Sequence, residues 1–569
     1  MTRVNNAQLV IASLVIGLIF LSGLSPTTTT VSAQPELTIM EIQGNSWSSP
    51  YVDQEVWTEG VVTADYQWED ARGFFIQDPD GDGEPTTSDG LFIYERYHTV
   101  NLGDYVRVRG EVQEYNGLTE IFEYETVVVS EDNPIPEPVE LYPPFDDYLS
   151  DVYYEALEGM LVSCSEMRAI AGTTYGEAAG VRTELDKDRV FVDDPYGTGE
   201  IIFTDEAGGV EVNAKTGDII RDIVGPLSYS YEEYKVLPSV DAPPTVEEGF
   251  PKMDLSLWIW KWKAWWYDRL GYITIATYNM YNLFIDYNVE DELAKHALAI
   301  HDYLREPDII AVQEVENAEV LEMLVNTPPI ETDYGVICIE GPDSRGIDVG
   351  LLYNKDRIDV VNAEARQTCT DLEDGYGPGT DPNYPCPEGY NPLFSRPPLV
   401  VHLKVKTKSG WCWNCRYTRY KDLWVIVNHL KSKSVYEPYY ADTTPRRTEQ
   451  AAWVSQLVDE IQANHCGAKV IVLGDFNDFM ISDPLKVLQD GGLKDLMWNV
   501  NKKNRYTYIY RGVSEVLDHI LITPSLRWYW RSIHVLHFNP DWPYSIYRYD
   551  TTSAHWSTDH DIVVGAFTL

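Results

Sequence analysis

Basic residues are scarce in this chain: 43 Lys and Arg stand against 90 Asp and Glu over 569 residues, a net charge of −47. The deficit lies mostly at the front, where residues 36–250 carry 47 acidic and 11 basic side chains, against 43 and 31 in residues 251–569. Such a front half repels polyanions and is excluded as a generic nucleic-acid clamp. Long apolar runs are also scarce. Leu9–Leu24, after Arg3, is short for a membrane span, and Val31-Ser-Ala33 supplies the small residues at which a signal peptidase cuts. Residues 1–33 therefore read as a signal peptide, with a retained anchor as the alternative, and the mature chain as extracellular or cell-surface without a membrane span. Cysteine is sparse and odd in number, with seven residues, which excludes a complete disulfide framework. Cys369 and Cys386 flank a Gly/Pro/Asp-rich loop that a disulfide could staple. Trp411-Cys-Trp-Asn-Cys415 reads as a hairpin tip. Zinc there lacks a second ligand pair, which leaves a local disulfide or free thiols.

A chain of this length suggests three or four domains at roughly 150 residues each. Helical periodicity is weak in residues 36–140, where Val56–Thr63, Gly73–Gln77, Gly90–Tyr94, Tyr105–Val112 and Glu120–Val129 read as short strands of a small barrel. A proline cluster, Pro134 to Pro144, marks a linker. Residues 147–250 repeat the texture with Ala156–Val162, Arg189–Val192, Gly199–Phe203, Asp218–Val224 and Tyr234–Leu237. Val100–Gly110 and Val212–Gly225 look like one element used twice, so a duplicated barrel is expected. Residues 251–271 form a Trp-rich linker. From Tyr272 to Leu569 strands alternate with helices (Glu290–Arg305, Ala318–Val325, Arg447–Gln462), but several strands follow one another directly. That pattern favours an α/β sandwich.

Polar residues gather just past strand-like runs. Val470-Ile-Val-Leu-Gly-Asp-Phe-Asn-Asp478 is the clearest case: a buried strand ends at glycine and presents Asp475 and Asn477. Asn279, Glu314, Asp348, His429, Asp518, Asp559 and His560 occupy comparable positions. Two histidines and several acids at one sheet edge are hard to explain as packing, because buried unpaired charge is costly. A carboxylate beside an amide suits the handling of a hard cation or a phosphate oxygen.

Ala276-Thr-Tyr-Asn-Met-Tyr-Asn-Leu-Phe284, Gln313-Glu-Val-Glu-Asn317, Arg345-Gly-Ile-Asp348, Asn428-His-Leu-Lys-Ser-Lys433, Gly474-Asp-Phe-Asn477, Leu517-Asp-His-Ile520 and Ser557-Thr-Asp-His-Asp561 occur in an order that resembles the endonuclease/exonuclease/phosphatase superfamily. The resemblance covers about residues 272–569 and implies a four-layer α/β sandwich. The front half resembles the tandem oligonucleotide-binding-like (OB-like) modules of large secreted nucleases, through Glu41-Ile-Gln-Gly44, Gly73–Gly83 and Val106–Val112. The implied whole is two OB-like β-barrel modules (36–140 and 147–250) before a catalytic domain. The resemblance also implies Asn279, Glu314 and Asp559 as the site of Mg²⁺ or Mn²⁺. Asp475 and Asn477 would orient water and phosphate, His560 would pair with Asp518, and His429 with Asp348. Arg345, Lys431, Lys433 and Arg446 are candidates for phosphate contact.

Two further features stand outside that set. Asp78, Asp80, Asp82, Glu84 and Asp89 have calcium-loop spacing without flanking helices, which fits either a structural Ca²⁺ or an acidic turn. Leu257–Tyr267 interleaves tryptophan with lysine. It reads first as an inter-domain wedge, and otherwise as a surface for single-stranded bases or for a membrane. The expected function is a secreted metal-dependent nuclease acting mainly on DNA, with RNA as a further substrate. The alternatives are a phosphomonoesterase or phospholipid hydrolase, and a surface scaffold with an inert domain.

Overall fold

The computed structural model describes residues 34–95, 97, 99–249, 255–377, 379–408, 417–434 and 442–569. The expected signal peptide, residues 1–33, and the Trp411–Cys415 hairpin tip lie outside the described residues. Among them, no helix is long and apolar enough to cross a membrane.

Strand-forming residues separated by turns close the front of the chain into a barrel. Its strands are β1 (Glu55–Asp65), β2 (Gly73–Gln77), β3 (Gly90–Tyr94), β4 (Tyr105–Tyr115) and β5 (Leu118–Ser130), in ring order β1-β2-β3-β5-β4. Alternate residues such as Val56, Val62, Val106 and Val108 fill the interior, as period-two patterning requires. The next module uses β6 (Leu161–Ala169), β7 (Ala178–Arg182), β8 (Ile202–Thr204), β9 (Ile219–Ser230) and β10 (Glu233–Val236). Here β6 pairs with β7, β7 with β8, β8 with β10, β10 with β9, and β9 returns to β6. Both rings thus share one strand order, with a parallel contact between the third and fifth strands. Short strands Val139–Glu140 and Thr245–Glu247 extend the second ring into a seven-stranded sheet. The two similar phrases lead into the fourth strand of each ring.

The expected strand Ala156–Val162 is corrected. A helix, Asp147–Glu155, capped by Asp146 through the Leu149 N–H, is followed by turns, and β6 starts only at Leu161. The turn is needed for contact between modules. Gly159 has φ +76°, and a Cβ there would lie 2.7 Å from the Gly90 carbonyl carbon. Glu158 is buried beside it, with Oε1 accepting the Thr119 N–H at 3.0 Å and Oε2 unpartnered. Burial pushes its carboxyl well above the usual 4.5. The folded state therefore holds a proton that the unfolded state loses above about 4.5, so stability falls as pH rises from there. Wild-type melting temperature is expected to decline between about pH 5 and 8. Glu158→Gln should flatten that slope and raise the melting temperature most at the alkaline end, in melting curves taken across the range.

Residues Val190–Phe191, expected to belong to the second module's sheet, instead pair in parallel with Val513–Glu515 of the C-terminal region. The adjacent, partly buried Arg189 donates to Asp541 Oδ1 at 2.6 Å, Tyr506 Oη at 2.9 Å and Ser514 Oγ at 3.1 Å. The second module is thereby keyed into the C-terminal domain.

That domain is a four-layer α/β sandwich. Its strands are β11 (Ile273–Leu283), β12 (Ile309–Val315), β13 (Tyr334–Cys338), β14 (Asp348–Asn354), β15 (Ile358–Ala365), β16 (Leu399–Lys408), β17 (Tyr417–His429), β18 (Val470–Asp475), β19 (Lys494–Asp495), β20 (Asp518–Ile522), β21 (Trp530–Leu536) and β22 (Ile562–Phe567). One sheet runs β13-β14-β12-β11-β22-β21, the other β15-β16-β17-β18-β20-β19. Ile275, Leu351, Leu403, Val425, Leu473 and Ile520 meet between the sheets. Helices Val289–Leu298 and Ala318–Val325 cover one outer face, and Thr444–Asn464 and Asp483–Asp490 the other. Central strands buried on both faces explain the continuous apolar runs of the sequence.

The Trp-rich segment is not a linker or a wedge. It forms a helix, Leu255–Leu270, whose main packing partners are β21 and β11 on the flank of the sandwich. Trp260 is buried there and donates Nε1–H to the Leu304 carbonyl at 3.0 Å.

Candidate active site

Each sheet contains one parallel pair joined through a helix: β11 with β12, and β17 with β18. The C-terminal ends of both pairs face one crevice. Antiparallel neighbours begin where parallel strands end, so the starts of β14, β20 and β22 reach the same edge. This topology gathers residues spread over almost 300 positions: Asn279 and Glu314 from one pair, His429 and Asp475 from the other, then Asp348, Asp518, Asp559 and His560.

Backbone distortion aims several of these side chains. The β11–β12 register shifts after Asn279, and Tyr281 and Asn282 take φ of +51° and +56°. Glu314 itself has φ +59° at a register shift between β12 and β14, and Asn477 has φ +50°. Left-handed non-glycine residues cost energy and concentrate where function demands a direction. Gly474 has φ +137°, and a Cβ there would lie 2.0 Å from the Asn428 carbonyl oxygen, so only glycine lets β18 lie against β17.

At the centre, the Asn279 amide donates to Glu314 Oε1 at 3.3 Å and to Asp475 Oδ2 at 3.2 Å. Asp475 also accepts the Asn477 backbone N–H at 2.8 Å and its side-chain amide at 3.2 Å. His429 Nε2 lies 3.5 Å from Asp475 Oδ2 and 3.7 Å from Glu314 Oε1. Glu314, His429 and Asp475 bring ligand atoms within 4.8 Å of one another. Asp559 stands outside that trio but is close enough to Glu314 for the two charges to interact. Opposite, His560 Nδ1 lies 2.7 Å from Asp518 Oδ2, as expected, and Asp518 Oδ1 is buried without a partner.

The electrostatics are out of balance in one direction. Burial pushes Asp475 up to about 7 and Asp559 up to about 6, despite the His560 charge nearby. Burial alone would depress His560, but Asp518, Asp559 and Asp475 outweigh it and hold the imidazolium well above its usual 6.5. His429 moves the opposite way: burial, then Arg396 and Arg345, keep it neutral. Several crowded carboxylates facing a single imidazolium leave an excess of negative charge that a hard divalent cation would neutralise. Glu314 and Asp475, with His429 beside them, fit such a cation; the expected ligand Asn279 instead turns its N–H to these carboxylates while its oxygen accepts the Tyr281 N–H at 3.0 Å, and Asp559 lies outside the trio.

Two expectations are corrected. His429 does not bond Asp348: its Nδ1 is unpartnered, and Asp348 Oδ1 instead accepts the Gly341 N–H at 2.7 Å. The acid stays buried behind the site, where desolvation raises it to about 7. Arg446 does not reach the crevice. It is buried, forks onto both Asp374 oxygens at 2.7 Å, and so anchors the loop that the Cys369–Cys386 disulfide closes. Lys433 stays by the crevice, 3.3 Å from Glu515, whose charge interacts with that of His560. In the Asp78–Asp89 loop, which also holds Asp80, Asp82 and Glu84, Asp78 Oδ1 accepts the Asp80 and Gly81 N–H groups and Asp82 Oδ1 accepts that of Glu84, while Asp89 Oδ1 is buried without a partner.

Lys431 and Arg345 remain at the rim. Burial, then Arg396 and Arg345, lower Lys431 to about 8, while Arg345 is half-exposed near Asp343. Arg396, missed in the sequence, is buried between Asp343 and the Leu430 carbonyl, at 2.7 and 3.0 Å. Tyr508, also missed, packs its ring 4.9 Å from His560. Neither has a sequence signal, since each acts through neighbours distant in the chain. A cleft of about 1060 Å³ opens beside Asp559, walled by all three parts of the chain, including Tyr94 and Phe122 of the barrel, Tyr175 and Tyr231 of the second module, and Tyr510. Its ionisable lining is mainly acidic, with Glu120, Glu177, Asp205 and Glu206 against Arg72 and Arg511.

Residues 276–560 match the model of the Endonuclease/Exonuclease/phosphatase family, and residues 150–248 match a domain of unknown function. A search of curated proteins finds no match. Similar solved structures include D. rerio TDP2 complexed with single strand DNA product, at 16% identity over 52% of this chain and 100% of that one, with a TM-score of 0.35. An endonuclease/exonuclease/phosphatase from Bacteroides vulgatus shares 18% identity over 52% and 99%, at 0.35. The mannosyl-6-phosphatase of Bacteroides thetaiotaomicron shares 16% over 52% and 100%, at 0.34.

Proposed function

Because the chain belongs to the endonuclease/exonuclease/phosphatase family, whose members hydrolyse phosphodiesters and phosphate esters, we propose that it is a divalent-metal-dependent phosphodiesterase. The observation that carries this reading is the convergence of Asn279, Glu314, His429, Asp475, Asp518, Asp559 and His560 on one crevice. Mg²⁺ or Mn²⁺ held by Glu314 and Asp475, with Asp559 near them, would act as a Lewis acid on a phosphoryl oxygen. Asp475, steadied by Asn477, orients the attacking water and, with neutral His429 at its side, accepts the water proton. His560 is an imidazolium fixed by Asp518, and it donates to the oxygen on which charge develops. Two histidines driven to opposite protonation states divide acid from base work.

DNA is the first substrate of this reading, cleaved outside the cell by a secreted enzyme whose two front rings we read as OB-like from their shared 1-2-3-5-4 strand order. The acidic, aromatic cleft beside Asp559 favours a second reading, a substrate with one phosphate on an uncharged body, since successive phosphates would lie among carboxylates. Plasmid nicking beside p-nitrophenyl phosphate hydrolysis, each over a Mg²⁺ and Mn²⁺ titration, separates the two. Inactivity on both with either ion would refute the proposal. Under either reading the front rings are not the DNA-binding part. Residues 36–250 are expected to leave the anisotropy of labelled single-stranded DNA unchanged at about 0.15 M salt, because few cations are available there to displace counterions. Tight, salt-sensitive binding would contradict this.

A further inference from the structure

The helix Leu255–Leu270 buries Trp260 and Ala264 against the sandwich and is fixed further by Tyr267 Oη to Ser532 Oγ at 3.0 Å. Its other face is unusual for a water-soluble surface. Trp258, Trp262 and Trp265, at i, i+4 and i+7, form one stripe and are 59%, 57% and 45% exposed. The Arg269 guanidinium lies 3.6 Å from the centre of the Trp265 ring. The strand on which the helix packs, β21, follows a turn that exposes Trp528 at 83%, between Arg527 and Arg531. Arg531 Nη1 donates to the carbonyls of Trp528 and Trp530 at 2.8 and 2.9 Å and holds that turn in place.

Charge sets this face apart as well. At helical spacing Lys261 and Arg269 flank the stripe, beside Asp268, in a chain of net charge −47, whereas Lys263 turns to His534 Nε2 at 3.4 Å on the packed side. Exposed tryptophans on a rigid helix, rimmed by cations, match the headgroup layer of a bilayer: the indole body enters the apolar boundary, and long basic side chains reach anionic headgroups. The face is a convex helix, whereas bases of a single strand stack along a groove. We propose that the Trp258/Trp262/Trp265 face docks the folded protein on a lipid surface bearing anionic headgroups.

Flotation of the full chain with vesicles of phosphatidylcholine and phosphatidylglycerol tests this. Wild type is expected to float with the vesicles. The triple variant Trp258→Ser/Trp262→Ser/Trp265→Ser should bind at least about tenfold more weakly, and Arg269→Ala about fivefold. Hydrolysis of a soluble phosphoester should be unchanged in both, because none of these residues borders the crevice. Absence of wild-type flotation, or undiminished flotation of the triple variant, overturns the proposal. So does self-association or single-stranded DNA binding that the triple variant abolishes in place of lipid binding.

Discussion

Glu314→Gln is expected to lower phosphoester hydrolysis by about 10³-fold or more, because a Lewis acid supplies several kcal/mol and each 1.4 kcal/mol or so is tenfold in rate. The substitution keeps the shape of the side chain and an oxygen to accept the Asn279 amide, now 3.3 Å away. It removes one charge from a cluster in which Asp475 and Asp559 are already strained by burial. Melting temperature in chelator should therefore hold or rise slightly. The rise in melting temperature that Mn²⁺ gives wild type should shrink, since stabilisation follows RT ln(1 + [L]/Kd). This second readout separates a ligand from a residue that only shapes the crevice. Wild-type turnover at ordinary metal concentration would remove Glu314 from the site.

His560→Ala should cost roughly 10³-fold in turnover with a smaller change in KM, in line with loss of a positioned acid. Asp518→Asn leaves the ring in place but removes the carboxylate 2.7 Å from Nδ1. Asp518 raises the imidazolium, so its loss lowers that pKa, and the alkaline limb of the pH–rate profile should move to lower pH. A role confined to packing would lower the rate without moving the limb. His429→Ala should cost about 10²-fold, since its neutral ring assists Asp475 without carrying the charge.

Much of the catalytic half was legible because β strands buried on both faces read as apolar runs, and a polar residue just past such a run has few places to go but the crevice at its end. Val470–Asp478 shows this: the strand, its glycine and the two polar side chains all lie where the pattern puts them. Asn279, Glu314, His429 and His560 follow the same logic. The pairing of His429 with Asp348 failed because register along a strand says nothing of rotamer, and Asp348 turned to the Gly341 amide. Arg446 failed for a related reason: an arginine beside a motif looks like a phosphate contact until its partner, Asp374, 72 residues away, is seen. The Trp-rich segment was misplaced because tryptophan content signals burial without saying against which surface.

The sequence by itself determined the alternation of strands and helices in the C-terminal half, the acidic balance and most of the polar residues that meet in the crevice. These follow from local patterning and composition, which depend on neighbours along the chain. Only the tertiary structure decided which acid holds which histidine, that Asp475 and Glu314 face His429 together, that the second module is keyed in through Arg189, and that one face of a helix leaves its tryptophans bare. Those outcomes depend on groups tens to hundreds of residues apart competing for the same hydrogen bonds and the same buried volume, and no local pattern encodes which of them wins.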